Sequence, residues 1–116
     1  MAFTGSCHCG KVEFTVEADP PHRAMSCNCT HCRRKGFLLS FLAPEQFRLN
    51  RGEGDLAVYK FNKHAIAHQF CTTCGVEPFA EGTAPGGKKM VAVNLRCVPA
   101  IDLDSLEIQK VDGASF

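Results

Sequence analysis

The sequence lacks any real excess of charge of one sign: 13 Lys and Arg against 12 Asp and Glu leave a formal net charge of +1. That balance excludes a generally basic surface of the kind that adheres to nucleic acid or anionic membrane, and leaves only local patches. Also missing is an apolar run approaching the roughly 20 residues that a helix needs to cross a bilayer. The N-terminus, MAFTGSCHCG, has no basic flank followed by an apolar core, so no secretion signal is expected and the chain reads as cytoplasmic. Internal repeats, low-complexity segments and linkers are absent too, which at 116 residues implies one domain spanning 1–116 with a modest core.

What is present is a series of short strand patterns broken by Gly and Pro. KVEFTVEA alternates Val12, Phe14 and Val16 with Glu13, Thr15 and Glu17, the period of a half-buried strand. GFLLSFLAP is a continuous apolar run ended by Pro44, and its length suits a buried strand. FRLN precedes an RGEGD turn, and LAVYKFNK alternates Leu56, Val58 and Lys60 with Ala57, Tyr59 and Phe61. AIAHQFC, VEPFAEG and KMVAVNL follow as strands, and DLDSLEIQKVD supplies one further edge strand. The one helical segment is NCTHCRRKG, stopped by Gly36, with basic residues in its last turn where the helix dipole favours them. The expected fold is mainly β with at most one short helix.

Eight cysteines stand out in such a chain. A reducing compartment does not sustain a disulfide framework, so clustered thiols there bind metal or do redox work. Cys71 and Cys74 form C-x-x-C with Gly75 next to them, half of a zinc knuckle. Cys7 and Cys9, two apart on an extended chain and flanked by Gly5 and Gly10, share a face and form the other half. Together the four would close a structural site and a loop of about sixty residues. The competing reading, a redox C-x-x-C, lacks a following helical pattern and a βαβ setting.

Cys27, Cys29 and Cys32 combine C-x-C with C-x-x-C and can converge on one ion without distant help. Three ligands with one open position is the pattern of a catalytic zinc. Three thiolates on a dication leave a net negative charge, so the metal would be a weak Lewis acid and a poor generator of hydroxide. A fourth thiolate brought by a substrate would instead be held deprotonated yet electron-rich, which suits attack on a small electrophile. Arg33, Arg34 and Lys35 would offset that charge and pair with the carboxylates of an anionic thiol, with a solvated basic turn as the plainer alternative.

GSCHCGKVEF, CNCTHCRRKG and FCTTCGVEPF resemble, in that order, the three cysteine motifs of the glutathione-dependent formaldehyde-activating enzyme family, with Asn28 where many members carry histidine. The resemblance implies an Mss4-like fold of twisted antiparallel sheets with zinc knuckles. It further implies a carbon–sulfur lyase that condenses formaldehyde with glutathione. By the same resemblance, Cys7, Cys9, Cys71 and Cys74 would bind a structural zinc and Cys27, Cys29 and Cys32 a catalytic one, two per chain. Arg33 would be the basic substrate contact after the third cysteine, and Phe70 the aromatic before the C-x-x-C. The expected partners are a small thiol and a small aldehyde, with no membrane and no nucleic acid. Two other classes share every cysteine: a zinc-stabilised β scaffold acting as a binding module, and a thiol redox sensor.

The remaining candidates read more plainly. Cys97 follows an apolar strand and is expected in the core. His31 is expected to face solvent from its short helix, although it lies close enough to the second cysteine group to move a proton. His64 and His68 fall on one face of a strand, and His8 and His22 on loops. None makes a histidine metal motif.

Overall fold

The computed structural model describes residues 2–60, 66–83 and 87–112. In chain order the elements are β1 (Phe3–Ser6), β2 (Glu13–Val16), β3 (Arg23–Cys27), α1 (Thr30–Lys35), β4 (Leu39–Leu42), β5 (Phe47–Arg51), β6 (Leu56–Tyr59), β7 (Ile66–Cys71), β8 (Phe79–Thr83), β9 (Lys89–Asn94) and β10 (Glu107–Val111). Among the described residues, four single 3₁₀ turns fill connections between them. The fold is mainly β with one short α-helix, as expected from the dense strand patterns. No helix among the described residues is long and apolar enough to cross a membrane.

The strands form two sheets. A three-stranded antiparallel sheet has the order β1-β2-β5, and a seven-stranded sheet has the order β10-β3-β4-β9-β8-β7-β6. Every pair in the larger sheet is antiparallel except β10 with β3, which run parallel. The C-terminal segment is thus an edge strand, as its sequence suggested, preceded by a 3₁₀ turn that the Asp102 side chain caps.

Alternation in residues 12–16 does what its period dictates: Val12, Phe14 and Val16 are fully buried. Thr15 on the opposite face is also buried, because β5 pairs alongside and Asn50 Nδ2 donates to Thr15 Oγ1 at 2.7 Å. Phe47 of β5 joins the two sheets, its ring 5.6 Å from that of Phe14 and 4.7 Å from that of Phe79. Burying each such side chain contributes roughly 1.5–3 kcal/mol. Phe79, Val93 and Leu95 carry the core into the larger sheet.

Several boundaries differ from the sequence reading for identifiable reasons. The apolar run 36–44 is not buried throughout: Phe37 and Leu38 enter the core before β4 begins, and strand alternation then turns Phe41 outward to 45% exposure. The strand expected at 76–82 starts only at Phe79, since Val76 and Pro78 spend their carbonyls on the backbone N–H groups of Cys71 and Asn94. The end of the pattern 56–63, His64 and the tip of the loop 83–87 lie outside the described residues. β1 has no alternating run to announce it; pairing with β2 makes it a strand.

Candidate functional site

Local sequence builds two cysteine knuckles of the same design. In one, Cys7 N–H bonds to the Val12 carbonyl at 3.0 Å and Gly10 N–H to the Cys7 carbonyl at 3.3 Å. In the other, Cys71 N–H bonds to the Val76 carbonyl at 3.0 Å and Gly75 N–H to the Cys71 carbonyl at 2.9 Å. Gly10 (φ 82°) and Gly75 (φ 79°) both sit in the left-handed region, where a Cβ is strained, and this is what turns each loop back on itself. The backbone N–H groups of Val12 and Thr73 then point at the Cys7 and Cys71 sulfurs, each at 3.4 Å.

The two knuckles meet. Cys9 Sγ lies 3.6 Å from both Cys7 Sγ and Cys71 Sγ, and the four sulfurs of Cys7, Cys9, Cys71 and Cys74 all lie within 4.8 Å of one another. A tetrahedral zinc with Zn–S of about 2.3 Å separates its sulfurs by about 3.8 Å, so spacing and donor chemistry both fit that ion. Burial resists ionisation of Cys74, yet backbone N–H groups of Cys9 and Val76 and the neighbouring thiols hold it down at about 6. For Cys9 the Lys11 N–H pulls down, but burial and three adjacent sulfurs outweigh it and raise the thiol to about 11. Four thiols so close cannot all ionise unless a cation neutralises them.

The second cluster is local, as its spacing implied. Cys27 ends β3, Cys29 caps the N-terminus of α1, and Cys32 is buried within the helix. Cys29 Sγ accepts from Cys32 N–H at 3.3 Å and Cys27 Sγ from Cys29 N–H at 3.5 Å. The three sulfurs lie within 4.8 Å of one another and could hold one ion. Against burial, the backbone N–H groups of Cys32 and His31 and the thiols of Cys32 and Cys27 lower Cys29, whereas burial and then Cys29 and Cys27 raise Cys32. Gly36 ends the helix with φ 71° and its N–H on the Cys32 carbonyl, and Arg96 Nε holds the Gly36 carbonyl at 2.7 Å. Asn28 ties the knuckle to the C-terminal edge: its N–H reaches the Val111 carbonyl at 3.1 Å and its side chain Asp112 at 3.0 Å.

A cleft of about 680 Å³ opens between the helix α1 and the strands β6 and β7. One wall is the helix, through Thr30, His31, Arg34 and Lys35; the other is Tyr59 of β6, Phe70 of β7, and Gly75 and Glu77 beyond the knuckle. Lys35 Nζ stands 5.9 Å over the Phe70 ring. Arg33 is exposed and is not among the residues that line the cleft.

His31 does not face solvent, contrary to the sequence reading. Its side chain is 10% exposed and packs against the rings of Phe37 and Tyr59, each 5.6 Å away, and of His68 at 4.0 Å. Burial, then His68 and Lys35, pushes it down to about 4, so it is neutral at physiological pH. Beneath it His68 Nδ1 contacts Glu77 Oε2 at 2.9 Å, and His31 Nε2 stands 3.8 Å from Glu77 Oε1. This trio was not singled out from the sequence, where VEPFAEG reads as a strand. The available signal was His68 and Glu77 at equal distance on either side of the C-x-x-C. Cys97 is a core residue as expected; burial, then Cys7, Cys74 and Glu77, pushes it up to about 12.

Two sheets carrying paired cysteine knuckles, with a second thiol cluster on a short helix, define a small β protein whose cysteine clusters could hold metal ions. The chain belongs to the glutathione-dependent formaldehyde-activating enzyme family, whose model matches residues 2–107. The solved structure of a Rhodobacter sphaeroides protein is similar: 29% identity, 93% of this chain and 99% of that chain covered, and a TM-score of 0.80.

Proposed function

We propose that this chain is a zinc-dependent carbon–sulfur lyase, one domain spanning 1–116 that works in the cytoplasm. It joins, or in reverse releases, a small aldehyde such as formaldehyde and a low-molecular-weight thiol such as glutathione. The observation that carries this reading is the three-cysteine cluster beside the cleft. Cys27, Cys29 and Cys32 share one donor sphere, while the remaining thiol, Cys97, is buried against the Glu77 carbonyl and serves neither cluster. Family membership supports the same reaction class.

Zinc on those three sulfurs would supply a position that keeps a substrate thiol deprotonated at neutral pH. In the net reaction the thiol adds across the carbonyl: sulfur bonds to carbon, and the proton ends on oxygen. The chain's own residues do the positioning. Arg34 and Lys35, on the helix wall, pair with the carboxylates of an acidic thiol, and Arg33 adds positive charge at the outer end of that run. Phe70 and Tyr59 give the opposite wall an apolar surface that holds water away from the electrophile. The four-cysteine site of Cys7, Cys9, Cys71 and Cys74 would hold the second, structural zinc.

The test is zinc content and thiol binding on protein purified without chelator. The expected result is close to two zinc per chain, saturable glutathione binding, and faster formation of the hydroxymethyl adduct followed by NMR. Cys32→Ser should keep one zinc and the fold but lose thiol binding. A two-zinc protein that binds no thiol, or a Cys32→Ser variant at full rate, would overturn the lyase reading in favour of a β scaffold or thiol sensor.

A further inference from the structure

We propose that His31, His68 and Glu77 form a third metal site, separate from both cysteine clusters, that takes one divalent first-row transition ion such as Zn²⁺ through two imidazole nitrogens and a carboxylate oxygen. The proposal stands independently of the lyase reading.

The donors converge. One atom from each residue lies within 4.8 Å of the other two, with 2.9 Å from His68 Nδ1 to Glu77 and 3.8 Å from His31 Nε2 to Glu77. Spacings of this order are those between ligands of one ion whose bonds are about 2.0–2.2 Å long. The three residues come from different parts of the fold, α1, β7 and the return from the knuckle to β8, so their convergence is a tertiary product.

They are also held. Asn94 Nδ2 donates to the Glu77 carbonyl at 3.1 Å, and Phe37 and Tyr59 clamp the His31 ring. Side-chain exposures of 10% for His31, 5% for His68 and 2% for Glu77 put the carboxylate in a dry place, where its charge needs compensation. The two imidazoles, each directed at one of its oxygens, leave a position between them that a dication would satisfy.

The donor set selects the ion. Two nitrogens and one carboxylate oxygen suit zinc and its neighbours, whereas calcium and magnesium require more oxygen ligands. The site is not closed, since His31 and Glu77 also line the cleft. Further coordination positions would face that space, the arrangement in which two histidines and one carboxylate serve reactive metals. The alternative is a metal-free hydrogen-bonded cluster that only fixes α1 to β7.

Cobalt(II) titration of protein that carries two zinc per chain, at its cysteines, separates the two. We expect one additional equivalent to bind with weak ligand-field bands and without the intense sulfur-to-cobalt charge transfer of a thiolate site. His68→Gln and His31→Gln, with zinc retained at the cysteines, should each weaken that binding roughly tenfold or more. In the unmodified protein, the imidazole resonances of His31 and His68 should broaden before those of the exposed His8 and His22. Absence of the extra equivalent, charge transfer marking entry at the cysteines, retention in both variants, or broadening confined to His8 and His22 would overturn the proposal. The wild-type resonances decide the matter even if a variant fails to fold.

Discussion

The imidazoles of His31 and His68 stand 4.0 Å apart, one on the helix that carries the three-cysteine cluster and the other on the strand that leads into the four-cysteine site. Glu77 lies against both. The two cysteine centres are therefore joined through a buried polar contact as well as through the sheet. Glu77→Ala removes the carboxylate that faces both rings and takes away the 2.9 Å contact to His68. Losing a buried hydrogen-bond partner costs about 1–3 kcal/mol. The urea midpoint should fall accordingly with an unchanged slope, and an unchanged midpoint would show that the contact adds no stability.

Gly5 precedes the first knuckle and has no room for a side chain. A Cβ there would stand 2.4 Å from the Phe14 ring and 2.9 Å from the Cys97 carbonyl. Phe14 is fully buried and cannot move aside. Gly5→Ala should destabilise by about 1–3 kcal/mol. Gly54→Ala, which meets nothing within 4 Å, should stay within about 0.5 kcal/mol. Thermal melts of the two variants side by side check the contrast.

Stripping metal from the four-cysteine site should open the link between the first knuckle and the second. Cys71→Ser, at a fully buried position of the proposed structural zinc site, should lower the melting temperature by roughly 10 °C or more, as should a strong chelator. Chelator added to the variant should then have a much smaller effect than on the wild type.

Cys97 should be inert. Its thiol is buried and pushed up to about 12, mainly by desolvation, so almost none of it is thiolate at neutral pH. Alkylation followed by mass spectrometry should leave Cys97 unmodified in the native protein and label it fully after denaturation. Native labelling at the rate of a free thiol would contradict its core placement.

Arg34 and Lys35 line the cleft, whereas Arg33 does not. If the cleft takes the carboxylates of an acidic thiol, Arg34→Ala and Lys35→Ala should each raise KM about tenfold with little change in kcat. Arg33→Ala should have a smaller effect. Equal effects at all three positions would mean that the whole basic run acts as a diffuse charge.

The parts legible in the sequence are those with short-range causes. Val12, Phe14 and Val16 announce a strand because its period is local, and Gly36 ends the helix because a left-handed residue was needed there. The three cysteines on and before α1 form a cluster largely through their own spacing. Pairing Cys7 and Cys9 with Cys71 and Cys74 was also readable, since two half-knuckles have few other partners.

Only the tertiary structure decided the rest. A six-residue helix is too short for its pattern to show which face is buried, so His31 reads as a surface residue until Tyr59 and Phe37 close over it. Glu77 falls in a segment that reads as a strand, but the return from the knuckle keeps it out of the sheet and buries the carboxylate. The parallel pairing of β10 with β3, and the hold it gives Asn28, follow from where residues 107–112 come to rest. Side-chain direction and the burial of a charged group depend on what packs against them, and residues remote in sequence supply those neighbours.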